Sequence, residues 1–153
     1  MRKGSDLAPF FFIYTMKKLV LIALLFSTVV SFAQHSISVS VSEFLNSDGD
    51  VLVYLYKEGQ KLKLDEAKFK TLSSSIQKGK TTVVFQNIPK GQYAVLVLHD
   101  EDLNGKLKMY FFGPPKEGIG ASNNPKGHPK FEEASFEVKE DVTLAIEMNY
   151  LFR

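Results

Sequence analysis

The stretch "KTTVVFQNIPKGQYAVLVLHD", Lys80 to Asp100, decides the fold. Thr81 to Phe85 is rich in β-branched and aromatic residues and reads as a strand. Asn87 to Gly91 carries Pro89 and Gly91 and reads as a turn. Tyr93 to Leu98 is apolar at successive positions, so both faces of a strand there would be buried. That places it at the centre of a sheet. The hydrophobic period is two rather than 3.6, which sets the class as β.

The same period runs outward in both directions. In "SISVSVSEF", residues 36–44, Ile37, Val39 and Val41 alternate with serines, giving a strand with one buried and one wet face. "NSDGD" at 46–50 is a turn around Gly49, and "VLVYLY", Val51 to Tyr56, reads as an inner strand. These two strands are expected to form a hairpin. Residues 57–79 leave two readings open: a short helical turn capped by Asp65, or an irregular crossover. A long loop runs from about Glu101 to Glu132, interrupted by Gly105, Gly113, Gly118, Gly120 and Gly127 and four prolines. A loop of that length in a small domain is functional or disordered. The apolar anchors in "FFGPP" and Phe131 favour an ordered loop packed on the domain. Ala134, Phe136 and Val138, then Val142, Leu144, Ile146, Met148 and Tyr150, alternate with polar residues around a tight "KED" turn at 139–141. The expectation is an all-β fold, a single antiparallel β-sandwich of about seven strands with one long ordered loop.

The N-terminus reads differently. Lys17 and Lys18 precede an apolar run from Leu19 to Val30, and Ser31-Phe32-Ala33 places small residues before Gln34. That is the pattern of a secretory signal peptide over residues 16–33, with cleavage after Ala33. The run is too short for a stable membrane span, which needs about 20 apolar residues. Residues 1–15 fit no export signal and read as a start-site artefact, leaving 34–153 as the folded domain in the periplasm or outside the cell. Removing residues 1–33 takes four of the 19 basic residues and one of the 17 acidic ones. The remainder is balanced, so nucleic-acid binding has no electrostatic support. With no cysteine, disulfides, thiol catalysis and zinc–thiolate sites are excluded, and stability must come from a packed core.

The candidate chemistry centres on "HDEDLNGKL", His99 to Leu107. Asp100, Asp102, Asn104 and Gly105 match the first half of the calcium loop D-x-[DN]-x-[DN]-G. Ca²⁺ wants six to eight hard oxygens, and alternate residues of a tight turn can point theirs inward. The Lys106 carbonyl would be the next ligand. The closing bidentate acid is missing, because Phe111 stands where a Glu is needed, so a distant acid must complete the shell; Glu117 is the candidate. Lys106, Lys108 and Lys116 lower the net charge and point to weak affinity. The competing reading is a turn in which Asp and Asn cap backbone amides.

Other constellations are thinner. His35, His99 and His128 are the histidines of the chain. A metal-dependent enzyme or copper protein would need His99 and His128 together, or an N-terminal His35. "GPPKEGIG" lacks the Lys-Ser/Thr of a phosphate loop, and its prolines remove amide donors. No serine sits in a Gly-x-Ser-x-Gly elbow. Tyr93, Tyr110, Phe111 and Phe112 could offer stacking rings to a carbohydrate.

"FQNIPKGQYAVLVLHDEDLNGKL" and "FFGPPKEGIGASNNPKGHPKFEEASFEV" together resemble a family of exported bacterial proteins known as a domain of unknown function. The shared pattern is a strand ending in His-Asp, an Asp/Asn/Gly-rich turn, then a Phe-Gly-x-Pro-Lys-Glu-Gly loop with Ser-Asn-Asn. Ala121 and Leu103 depart from it, where an aromatic and a small or polar residue are commoner. The resemblance implies a transthyretin-like or carboxypeptidase-regulatory-like sandwich and no particular activity. The expected role is therefore a binding or structural module for an envelope protein or carbohydrate, steadied by calcium.

Overall fold

A computed structural model describes residues 34–109 and 115–150; the expectations for Met1 to Ala33 and for Tyr110 to Pro114 lie outside the described residues. In chain order the elements are β1 (His35–Ser42), β2 (Asp50–Lys57), β3 (Lys70–Ser74), β4 (Thr81–Ile88), β5 (Gly91–Asp100), β6 (Ile119–Ala121), the short helix α1 (Phe131–Ala134), β7 (Phe136–Val138) and β8 (Val142–Glu147).

Two sheets form. One has the order β4-β1-β8; the other runs β3-β2-β5-β6, with β7 also paired to β5. All pairings between these strands are antiparallel except β1 with β8, which is parallel. The larger sheet buries both faces. Val51, Val53, Leu55, Val95 and Val97 point toward Ile37, Val39, Val41, Phe85 and Ile146 of the smaller sheet. Alternate residues Tyr54, Tyr56, Leu96 and Leu98 point the other way, against Leu62, Leu107 and Phe131 of the loops and α1. Strand alternation therefore gives β5 two cores.

Three expectations are corrected or narrowed. β1 and β2 do not form a hairpin, because they lie in different sheets. The turn at Gly49 carries the chain across the sandwich, so the buried face of β1 meets that of β2 face to face. The "KED" turn makes the same crossing between β7 and β8. Second, of the two readings left open for residues 57–79, the capped helical turn falls and the irregular crossover stands, leading into β3, a strand too polar to announce itself. Third, Ala134 ends α1 rather than opening a strand.

The Asn87 turn is tighter than its sequence implies. β4 continues to Ile88 through a bulge, with Asn87 at φ +59, and the register of β1 slips by one between His35 and Ile37. The extra residue returns Ile88 to the buried face after Phe85.

Candidate cation site

The site grows from the end of β5. His99 continues the row Tyr93, Val95, Val97 and enters the core between the sheets. Asp100 continues the row Leu96, Leu98 and lies beneath the following loop. His99 is fully buried, and both ring nitrogens are engaged. Nε2 meets the Asp48 carbonyl and Nδ1 the Tyr150 hydroxyl, each at 2.7 Å. A carbonyl only accepts, so Nε2 carries a proton and donates it to Asp48, while Nδ1 pairs with the Tyr150 hydroxyl. Gly49, at φ +66, permits this: a Cβ there would lie 2.0 Å from the Asp100 carbonyl oxygen. The ring is thus a structural tie. His128 lies elsewhere, exposed on a groove with Lys126 and Pro129, and His35 stands beside Asp141 on β1. Both ring nitrogens of His99 are thus held by Asp48 and Tyr150.

Asp100 folds the turn after it. Its Oδ1 accepts the Asn104 amide at 3.0 Å and its Oδ2 the Gly105 amide at 2.7 Å. Asn104 Oδ1 accepts the Lys106 amide at 2.6 Å, closing an Asx turn. Leu103 and Gly105 both take positive φ, +59 and +68. Leu103 pays for that conformation without burying its side chain, which is 64% exposed.

The loop then returns. The Lys108 amide donates to Glu117 Oε2 at 2.8 Å, and the Lys116 amide donates to the Lys108 carbonyl at 2.8 Å. These contacts bring the Glu117 carboxyl back to the acidic turn. One oxygen each from Asp100, Asp102 and Glu117 lies within 4.8 Å of the others. Oxygens in one Ca²⁺ shell, at about 2.4 Å from the ion, are separated by at most about 4.8 Å. The spacing fits one shell.

Burial makes the cluster costly by itself. Asp100 and Glu117 are each 3% exposed. Glu117 Oε1 is buried with no hydrogen-bond partner. Burial raises the Glu117 pKa, Asp102 and Asp100 raise it further, and the backbone amides of Lys108 and Glu101 pull against them. Asp102 is exposed, and its hydrogen bond with Lys108 Nζ, at 2.7 Å, holds its pKa down. A polar cleft of about 350 Å³ opens beside the cluster, lined by Asp48, Glu101, Asp102, Lys108, Lys116 and Glu117.

Of the five residues singled out from sequence, the structure brings together the carboxylates of Asp100, Asp102 and Glu117. It commits Asn104 Oδ1 to the Lys106 amide, so this pair shapes the turn. Tyr93 is no sugar platform: it is fully buried, and its hydroxyl donates to the Pro89 carbonyl. Tyr110, Phe111 and Phe112 lie outside the described residues.

Sequence reasoning gave Ser122, Asn123 and Asn124 no individual roles. The outer edge of β5 is shared by β7, which pairs with 91–93, and β6, which pairs with 96–98. Val95 falls in the gap. Its amide donates to Ser122 Oγ at 2.9 Å, and Ser122 Oγ donates to the Ala134 carbonyl at 2.5 Å. Asn123 donates to the carbonyls of Glu133 and Ser135. Asn124 accepts the Glu147 amide and donates to the Ala145 carbonyl, covering part of the free edge of β8. Three consecutive side chains thus tie β5, the α1–β7 junction and β8 together.

The profile of a bacterial family described as "Uncharacterized protein conserved in bacteria (DUF2141)" matches residues 39–145. The chain belongs to this family. The match takes in both the acidic turn and the Ser-Asn-Asn staple of the DUF2141 domain. No curated protein matches the chain. A solved structure titled as a mutant of the pilus-presented adhesin Spy0125 (Cpa) matches with 20% identity and a TM-score of 0.34. That match covers 80% of this chain, which spans only 28% of the adhesin chain, and a likeness at this level carries no argument.

Proposed function

We propose that this DUF2141 protein is an exported binding or structural β-sandwich module. A divalent cation, calcium by the hardness of its donors, joins Asp100, Asp102 and Glu117. The observation that supports the cation is Glu117 Oε1, a buried carboxylate oxygen with no hydrogen-bond partner, on a side chain that converges with two aspartates. A buried carboxylate oxygen without a donor is expensive, and an ion would supply the missing partner. Export rests on the signal-peptide pattern of residues 16–33. Extracellular calcium modules work at about 10⁻⁴–10⁻³ M, a range that suits a site with three protein carboxylates and nearby lysines.

Isothermal titration of chelator-stripped protein with CaCl₂ tests the reading. One site in the sub-millimolar to millimolar range is expected, abolished in Glu117→Gln. Absence of binding up to about 5 mM, beyond the weakest sites of this kind, would sink it.

A further inference from the structure

Lys108 occupies the cluster in two ways. Its backbone amide holds Glu117, while its ammonium lies 2.7 Å from Asp102 Oδ2. We propose that the Lys108 ammonium and the divalent cation are alternative occupants of one carboxylate cluster, so that Lys108 sets the affinity of the site and swings out when the ion enters. This rests on the cation reading above.

The argument is steric and electrostatic. An ion bound to Asp102 at about 2.4 Å would stand within a few ångströms of an ammonium on the same carboxylate. Charges of +2 and +1 at that separation repel strongly in a partly desolvated site. Glu117 and Glu101 also add to the field on the ammonium, so its departure uncovers charge that the ion can use. Departure is easy. The Lys108 side chain is 51% exposed and the Asp102 side chain 35%, and exposed pairs of this kind are weak.

The backbone need not move. Residue 108 is held by the Glu117 carboxylate on its amide and by the Lys116 amide on its carbonyl, and Met109 bridges to Pro115. Only the side chain exchanges, while the arm that delivers Glu117 keeps its anchors. The lysine serves as a resident monovalent stand-in that keeps Asp102 satisfied when the ion is scarce.

The test is calorimetric titration of CaCl₂ into the purified wild-type protein, Lys108→Met, Lys108→Arg and Glu117→Gln. It is joined by acetylation of lysines with an N-hydroxysuccinimide ester, read by mass spectrometry. Lys108→Met is expected to bind Ca²⁺ about three- to tenfold tighter, the loss of a weak pair plus a nearby positive charge. Lys108→Arg should stay near wild type. Acetylation of Lys108 should rise severalfold at saturating Ca²⁺, while that of the distant Lys57 stays constant. Binding by the methionine variant alone would overturn the proposal, because wild type would then hold no ion for the lysine to exchange with. If wild type binds but Lys108→Met binds no tighter, or Lys108 labelling does not change, the exchange is wrong and the cation site stands. If neither protein binds, both fall.

Discussion

Replacing Ser122 by alanine removes one hydroxyl and strands two backbone groups. Ser122 is fully buried. Its Oγ accepts the Val95 amide at 2.9 Å and donates to the Ala134 carbonyl at 2.5 Å. Val95 lies where neither β6 nor β7 pairs with β5, so no strand amide or carbonyl stands ready to substitute. The Ser122 amide still reaches the Val95 carbonyl, but the Val95 amide is left without its acceptor. A buried polar group without a partner costs about 1–3 kcal/mol, so two cost roughly 2–6 kcal/mol. For a domain of this size that is a fall in Tm of roughly 8–24 °C. Urea unfolding followed by circular dichroism measures it, with the exposed Ser73→Ala as control, expected within about 0.5 kcal/mol of wild type. A Ser122→Ala variant that unfolds within about 0.5 kcal/mol of wild type, with an unchanged m value, would refute the claim that Ser122 closes the gap.

Further outcomes follow from the same geometry. A Cβ on Gly118 would lie 2.5 Å from the Tyr150 ring, so Gly118→Ala should displace that ring, break its hydrogen bond to His99 and cost about 1–3 kcal/mol. Denaturant unfolding and near-ultraviolet circular dichroism would register both effects, and an unperturbed tyrosine signal would contradict the assignment. Without calcium, Glu117 holds its proton more tightly folded than unfolded. Its contribution is therefore favourable below the raised pKa and lost as pH climbs through it. The gain in Tm from calcium should accordingly grow from about pH 4.5 toward neutrality, and Glu117→Gln should remove that pH dependence; a pH-independent calcium gain in wild type would count against it.

The sequence speaks clearly where one strand's own pattern decides the outcome. "YAVLVLHD" is apolar at every position up to His99, and β5 is indeed buried on both faces. Alternation likewise sends His99 and Asp100 to opposite faces. It is silent on pairing. The Ile37, Val39, Val41 row declares a buried face, but a face does not say which sheet it belongs to, and β1 and β2 separate. β3, "KTLSS", is half-exposed and polar, and it is a strand because β2 offers it a ladder. At the site, Asp100 and Asp102 declare themselves by spacing, and Glu117 is the nearest acid able to return from the loop. The use of Asn104 to bind its own turn is decided by local amide geometry, which spacing does not reveal. Ser122 and Asn124 look like loop residues because their partners, Val95 and the β8 edge, are more than 20 positions away.

The central claim is that the acidic end of β5 is completed by a cation. Thermal melting of chelator-stripped protein, with and without ~1 mM CaCl₂ at neutral pH, tests it directly, since that level reaches weak extracellular sites. A ligand that binds only the folded state raises its stability by mass action. A higher midpoint in calcium, absent in Glu117→Gln, is the predicted result. Identical midpoints with and without calcium would contradict the claim and leave Asp100, Asp102 and Glu117 as the framework of a turn.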